Sequence, residues 1–223
     1  MIDLPPEAWE ALRLSLRVAA VATLAGMPLA FAVAWLLARV AFRGRWLVEV
    51  AVLLPLILPP VVTGYALLAV FAPAGPLGFL PFAFRWTGAA LAAGVMAFPL
   101  MVRPIRLALE AVDPRVEEAA ATMASPWRVM ATVTLPLIAP GILAAAILGF
   151  AKAMGEFGAT ITFAASIPGE TRTLPSAIYA FLQVPGAEAA TRGLVLVAVV
   201  VAVVALGLSE WLARRVAARV RGA

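Results

Sequence analysis

Charged residues divide this chain into five long apolar stretches. The uncharged stretches lie between residues 17 and 39, 49 and 85, 85 and 103, 128 and 152, and 192 and 210. The hydrocarbon core of a bilayer is about 30 Å thick and is crossed by about 20 mostly apolar residues in a helix. The pattern therefore predicts an all-α polytopic membrane protein with about five transmembrane helices, over residues 12–39, 48–71, 86–108, 134–158 and 192–213.

Proline interrupts the second predicted span near its middle. The residues at the break are Pro59, Pro60, Thr63, Gly64 and Tyr65. Because proline removes a backbone donor, it kinks or ends a helix. One interpretation is a kinked helix packed on its neighbours. The other is that freed backbone groups and the two hydroxyls line a translocation route, as irregular backbone does in transporters. Pro99, in the third span, allows the same two interpretations.

Two segments lie between the predicted spans. Residues 109–133 are a polar connection, and residues 159–191 hold short apolar pieces cut by Pro and Gly. Irregular backbone at membrane depth is tolerated only where protein or a water-filled cavity satisfies it. We therefore expect 159–191 to be a re-entrant or interfacial hairpin on the external side. Residues 1–223 are predicted to form a single transmembrane domain.

Lysine and arginine are unevenly distributed between the two predicted sides. The first connection, the third connection and the tail carry 11 basic residues, whereas the opposite side carries 6, counting Lys152. Cytoplasmic loops hold the excess of basic residues in membrane proteins. The N-terminus is therefore predicted outside and the C-terminus inside. Thirteen residues follow Glu210, too few to bury a core, so we expect no C-terminal regulatory domain.

Composition excludes several classes of chemistry. The chain has no His and no Cys, which removes the usual metal-ligand sets and the Ser-His-Asp and Cys-His nucleophile arrangements. No GxxxxGK[ST] phosphate-binding loop is present. The net charge of +5 comes from arginines scattered between apolar runs, without the basic stripe of a nucleic-acid-binding protein. We expect no enzyme activity, no metal and no cofactor in this chain.

The polar connection contains a predicted surface helix. Asp113 and Pro114 suit an N-cap and a first helical position, and Pro126 is expected to end the helix. The small residues between them give a flat helical surface. From the residues alone, this helix is either a docking element over about 116–124 or a simple connector.

Glu118-Ala119-Ala120 followed by Leu135-Pro136 resembles the EAA loop of ABC importer permeases. Ala124 stands where that family has Gly, and eight rather than nine residues precede Val133. The resemblance implies a type I ABC importer permease fold whose loop 109–133 carries a cytoplasmic coupling helix docking on an ATPase. The implied docking residues are Glu117, Glu118, Ala119, Ala120, Met123, Ala124, Leu135 and Pro136.

Two further stretches are similar to the molybdate branch of these permeases. They are GEFGATITF, residues 155–163, and IPGETRT, residues 167–173. GEFG alone is also met in sulfate permeases, so the specific signal is the two stretches together. The resemblance implies a permease for molybdate in the inner membrane of a prokaryote. The alternatives are a sulfate, thiosulfate or tungstate permease, or, in another class, a self-contained ion-coupled transporter or channel.

The same resemblance implies partners. They are a second copy of this chain in a homodimer, two ATPase subunits that bind Mg-ATP, a periplasmic or surface oxyanion-binding protein, and the lipid bilayer. Glu170, Thr171 and Arg172 in the external hairpin are either contacts for the binding protein or caps of a turn.

Lys152 and Glu156 are four residues apart at the end of the fourth span. A lone charge there is expensive, so we expect the two to pair and Glu156 to be neutralised. The alternative is that Lys152 attracts the permeant anion while Glu156 limits its retention. The flanking Gly155 and Gly158 are expected mainly to permit close helix packing.

Overall fold

The computed structural model describes residues 6–221; beyond Gly207 it describes the side chains of Trp211 and Arg215. All regular structure in this range is helical. The helices are α1 (Pro6–Arg39), α2 (Arg45–Ile57), α3 (Pro60–Phe71), α4 (Trp86–Glu110), α5 (Pro114–Ala121), α6 (Pro126–Val129), α7 (Leu135–Met154), α8 (Gly158–Ala164), α9 (Leu174–Leu182) and α10 (Glu188–Arg221). The prediction of an all-α membrane protein is confirmed.

Helix α4 is the centre of the molecule, held between α1 and α7. All three helices meet through small residues, because in a membrane close van der Waals packing replaces the hydrophobic effect between helices. Met101 of α4 is fully buried, and its side chain fills the space left by Gly26 of α1 and Gly149 of α7. Ala97 and Ala93, one and two turns earlier on α4, are also fully buried.

Four helical stretches are long and apolar enough to cross a membrane among the described residues. They are Pro6–Arg39, Trp86–Glu110, Pro126–Met154 and Glu188–Gly207. Helices α2 and α3 form a fifth candidate, but they are bent by 114° at Leu58 and Pro59. The predicted break at the paired prolines is therefore present, and it is sharper than an ordinary proline kink.

Residues 109–136, called the coupling segment from here on, have helix boundaries that differ from the predicted ones. Helix α5 ends at Ala121 rather than near Ala124, where the Thr122 hydroxyl donates to the Ala119 carbonyl at 2.7 Å. Pro126 does not end this helix, and that prediction is wrong. It occupies the first turn of α6, where a missing N–H costs nothing. Helix α6 continues through a π-helical turn, Met130–Thr134, into α7.

The stretch 159–191 contains most of α8, the whole of α9 and the first turn of α10. Helix α8 has 7 residues and α9 has 9, so neither reaches the length of a span. The N–H of Leu174 at the start of α9 donates to the Ser15 hydroxyl of α1 at 2.6 Å. This contact fixes α9 against the N-terminal half of α1.

Candidate functional site

Glu156 lies in the short link between α7 and α8, beyond the last residue of α7. Its side chain is 1% exposed. The Oε2 atom pairs with Lys152 Nζ at 2.8 Å, and Oε1 accepts the Ala159 N–H at 3.0 Å. The carboxylate is thus neutralised by Lys152, as expected, and it also caps the first turn of α8. The Lys152 side chain is 29% exposed, so it is only partly buried.

Helix α3 lies directly against α8, so the two predicted route segments meet. A Cβ placed on Gly64 would come within 2.6 Å of the Ala159 carbonyl oxygen, and one on Gly158 within 2.7 Å of Pro60 Cβ. Both glycines are therefore required by the close approach of backbone to backbone. The expected packing role of Gly158 agrees with this contact.

The remaining route candidates divide into exposed and buried groups. Tyr65 is 66% exposed, and Pro59 and Pro60 are exposed at the bend. The Thr63 hydroxyl is buried and has no hydrogen-bond partner. Pro99 is fully buried inside the helix bundle, so it lines no open surface here. Gly155 is exposed and has no close neighbour from another helix, which differs from the packing role expected for it.

In the coupling segment, the Glu117 side chain contacts other residues of the same chain. Arg39 Nη2, at the end of α1, pairs with Glu117 Oε2 at 3.0 Å. The buried Thr134 hydroxyl donates to Glu117 Oε1 at 2.6 Å. Glu117 therefore ties α5 to both α1 and the start of the fourth span. Sequence reasoning missed Arg39 and Thr134, because partners 78 and 17 residues away along the chain leave no local pattern.

The outer face of the coupling segment is apolar and exposed. Met123 is 90% exposed and Trp127 is 75% exposed. Glu118, Ala119 and Pro136 are also exposed, whereas Ala120, Ala124 and Leu135 are half-buried. Trp127 was not predicted as a docking residue, although an aromatic residue in a polar loop is the signal that could have found it.

A four-residue ion network joins the ends of α2 and α4 near the coupling segment. Glu49 Oε1 accepts from Arg106 Nη1 at 2.9 Å and from Arg45 Nε at 3.2 Å. Arg106 Nε also pairs with Glu110 at 2.7 Å. The uneven distribution of basic residues predicts that Arg45 and Arg106 lie on the same side of the membrane, and the network joins them.

The external hairpin contains three candidate contact residues with different surroundings. Thr171 is buried, and its hydroxyl accepts the Ile167 N–H at 2.9 Å, so it closes the turn rather than facing a partner. Glu170 is exposed and accepts the Trp86 N–H at 3.4 Å. Arg172 reaches Glu7 at 3.7 Å.

No group of three or more His, Cys, Asp or Glu that could hold a metal ion occurs within residues 6–221 as described. The arrangement is instead that of a helix bundle with a broken span, a neutralised charge beside it and an exposed connection between α4 and α7.

Comparison of folds defines the class of protein. The chain resembles a subunit of a bacterial ABC transporter that imports the acidic polysaccharide alginate, with a TM-score of 0.75 and 19% identity over 95% of this chain and 80% of that one. It also resembles a chain of an amino acid ABC transporter, with a TM-score of 0.69 and 18% identity over 94% of both chains. The fold is that of the type I ABC importer permeases.

The sequence profile of the "binding-protein-dependent transport system inner membrane component" family matches residues 23–222. The chain belongs to this family. It is a multi-pass inner-membrane subunit of a transporter and not an enzyme.

Relatives within the family are similar over nearly their whole length. The molybdenum transport system permease protein ModB of Escherichia coli (strain K12) is 50% identical over 96% of both chains. ModB of Haemophilus influenzae is 52% identical over 92% of this chain and 93% of that one. A putative molybdenum transport system permease, YvgM of Bacillus subtilis, is 40% identical over 76% of this chain and 78% of that one.

Proposed function

We propose that this chain is the membrane-spanning permease subunit of an ATP-driven importer of molybdate, delivered by an extracytoplasmic binding protein. The observation that carries the proposal is the identity of 50% and 52% to molybdenum permeases over nearly the full length of both chains. Two copies of the chain are proposed to form a homodimer above two ATPase subunits. The N-terminus lies outside and the C-terminus inside in this proposal.

The proposed route runs along the bend between α2 and α3 and past α8. Supporting this placement, Tyr65 and the proline pair present exposed backbone and a hydroxyl at the bend, and α8 packs directly behind them. Lys152 supplies a cation that is linked to α8 through Glu156. Glu156 already pairs with Lys152 and accepts the Ala159 N–H. Its charge is therefore not free to repel a passing dianion.

The proposed docking surface for the ATPase is the exposed face of α5 and the turn that follows it. Met123 and Trp127 offer large apolar side chains, of the kind that anchor interfaces when they enter a pocket. Glu118 adds one exposed charge beside them. Glu117, held by Arg39 and Thr134, is proposed to transmit movement of α5 to the spans rather than to touch the ATPase.

On the external side, Glu170 and Arg172 remain proposed contacts for the binding protein. Residues 159–191 are proposed to lie at the external membrane surface. The link of Glu170 to Trp86 would then couple the hairpin to the outer end of α4, the central helix.

The proposal is tested by uptake into proteoliposomes that contain the chain with its ATPase, plus the binding protein outside and ATP inside. Radiolabelled molybdate is expected to accumulate, with competition by tungstate and weaker competition by sulfate. The double variant Lys152→Met with Glu156→Gln keeps the site uncharged, so loss of uptake from a folded transporter would support a role of Lys152 in the route. Accumulation of sulfate but not molybdate would overturn the substrate.

A further inference from the structure

Two cavities of opposite character lie along α1, the first at its N-terminal end and the second nearer its middle. The first, of about 320 Å³, is lined by charged residues of α1 and by residues 168, 169 and 172 of the hairpin. The second, of about 780 Å³, is a groove between α1, α7, α9 and α10. Arg13 and Arg17 line the first, and Ala20 and Leu24 line the second. Spacings of four, three and four residues place these four side chains along one stripe of α1.

The charged cavity offers groups of both signs. Arg13, Arg17 and Arg172 line it together with Glu7 and Glu10. Arg172 is paired with Glu7 only at 3.7 Å, and its buried Nε has no partner, while Arg17 lies over the Trp86 ring at 3.7 Å. Among the described residues, Arg13 and Glu10 have no ion-pair partner. The cavity therefore has an unpaired cation and an unpaired anion to offer a ligand.

The groove is almost entirely apolar. Its walls include Ile147 of α7 and Val201 of α10, which belong to candidate spans, and Ile178 of the short helix α9. The volume falls within the range of ordinary small-molecule sites. In a membrane such a groove faces hydrocarbon, so a chain that fills it must be apolar. Thr23 is among the lining residues, and its hydroxyl is buried without a hydrogen-bond partner. Thr23 lies six residues beyond Arg17, about 9 Å further along the helix axis.

We propose that these cavities together form a binding site for one phospholipid whose headgroup carries a phosphate and a primary ammonium, as in phosphatidylethanolamine. The phosphate pairs with Arg13, Arg17 and the free Nε of Arg172, and the ammonium pairs with Glu10. An acyl chain fills the groove, and the Thr23 hydroxyl donates to an ester carbonyl. The site holds α9 and α10 against α1 and is independent of which anion is transported. With the N-terminus outside, the lipid belongs to the external leaflet.

The test is native mass spectrometry of the detergent-solubilised transporter, titrated separately with phosphatidylethanolamine, phosphatidylcholine and phosphatidylglycerol. One tightly bound phosphatidylethanolamine per permease chain is expected, with weaker binding of the other two lipids. Arg13→Gln should weaken it about fivefold, the equivalent of about 1 kcal/mol for one arginine near the surface. Arg192→Gln, an exposed charge that lines neither cavity, should leave the affinity unchanged.

A second pair of variants tests the groove without changing charge. Ala20→Phe fills it and should abolish tight binding, whereas Ala25→Phe, exposed on the same helix and outside the groove, should not. Equal lipid affinity in Ala20→Phe and Ala25→Phe would overturn the groove assignment. Displacement of the lipid by millimolar molybdate would instead assign the charged cavity to a free oxyanion.

The remaining alternative occupant is a second copy of the chain. Because the chain has no native cysteine, a single Leu24→Cys variant reports on the groove cleanly. A disulfide between two copies at this position would make the groove a protein interface and overturn the lipid proposal. Alkylation of the introduced thiol in monodisperse transporter, slowed by added phosphatidylethanolamine, would support it.

Discussion

Glu156 combines two tasks in one buried side chain. One carboxylate oxygen neutralises Lys152 and the other caps α8. A buried carboxylate with a partner for each oxygen avoids the cost of an isolated charge. The first turn of α8 therefore depends on the same residue that controls the local charge.

Glu156→Gln keeps an acceptor for the Ala159 N–H but removes the charge. We expect it to reduce the free energy of unfolding by about 1.5–3 kcal/mol, the range for a hydrogen bond to a charged group. Lys152→Met combined with Glu156→Gln should restore part of this loss, since no unpaired ammonium remains. The coupling between the two side chains is measured by thermal unfolding in detergent of the unchanged protein, Glu156→Gln, Lys152→Met and the double variant. Strictly additive effects would show that the two side chains do not interact.

At the scale of elements, α3 and α8 approach each other so closely that no side chain fits at Gly64. Gly64 faces the Ala159 backbone, and backbone cannot move aside as a flexible side chain can. The contact therefore fixes the broken span against the GEFG segment.

Gly64→Ala should destabilise this contact by about 1–3 kcal/mol, the usual cost of overpacking. Gly207→Ala is the matched control, because nothing lies within 4 Å of its added Cβ. In a helix interior that control should be neutral or stabilising by up to about 1 kcal/mol. The two melting temperatures in detergent are compared. Equal shifts would mean that α3 and α8 are not in close contact.

The coupling segment yields a prediction about Thr134. Thr134→Val keeps the shape of the side chain but removes the hydroxyl that donates to Glu117. We expect looser attachment of α5 and a lower ratio of molybdate uptake to ATP hydrolysis, with the ATPase still bound. Thr132→Val is the control, since the Thr132 hydroxyl bonds only to the Arg128 carbonyl in its own helix. An unchanged ratio of uptake to hydrolysis in Thr134→Val would show that Glu117 does not transmit movement of α5 to the spans.

The exposed face of α5 yields a separate prediction. Glu118→Lys reverses an exposed charge beside Met123 and Trp127, so it should impair ATPase binding and coupled uptake while membrane insertion stays normal. Glu188→Lys, an exposed acid at the start of α10, makes the same charge change elsewhere and should have no effect. Co-purification of the ATPase measures docking. Normal uptake and co-purification in Glu118→Lys would remove Glu118 from the docking surface.

At the scale of the whole molecule, long-range polar contacts join residues predicted to share a side. Arg39 meets Glu117, and Arg106 meets Glu49. At the other end, Arg17 lies over Trp86 and Arg172 approaches Glu7. These contacts group the same residues at each end as the sequence pattern does, and which end faces the cytoplasm is inferred from the basic residues.

The orientation itself is tested by reporter fusions after Arg45, Gly169 and Arg219. They should report inside, outside and inside, because the basic excess stays in the cytoplasm. Single cysteines at the same places, probed with an impermeant thiol reagent on whole cells, provide an independent readout in a chain without native Cys. Any other order would exclude the proposed topology.

The sequence by itself determined the membrane class, the helical architecture, the break at Pro59 and Pro60 and the Lys152–Glu156 pair. These features depend on hydropathy, on proline and on partners within one helical turn, all of which are local properties. Only the tertiary structure decided that α4 is central, that Gly64 meets α8, that Pro99 is buried and that Glu117 pairs with Arg39 at the end of α1. Those outcomes arise from packing between residues far apart in the chain, where side-chain shape and close helix approach select among arrangements with the same hydropathy pattern.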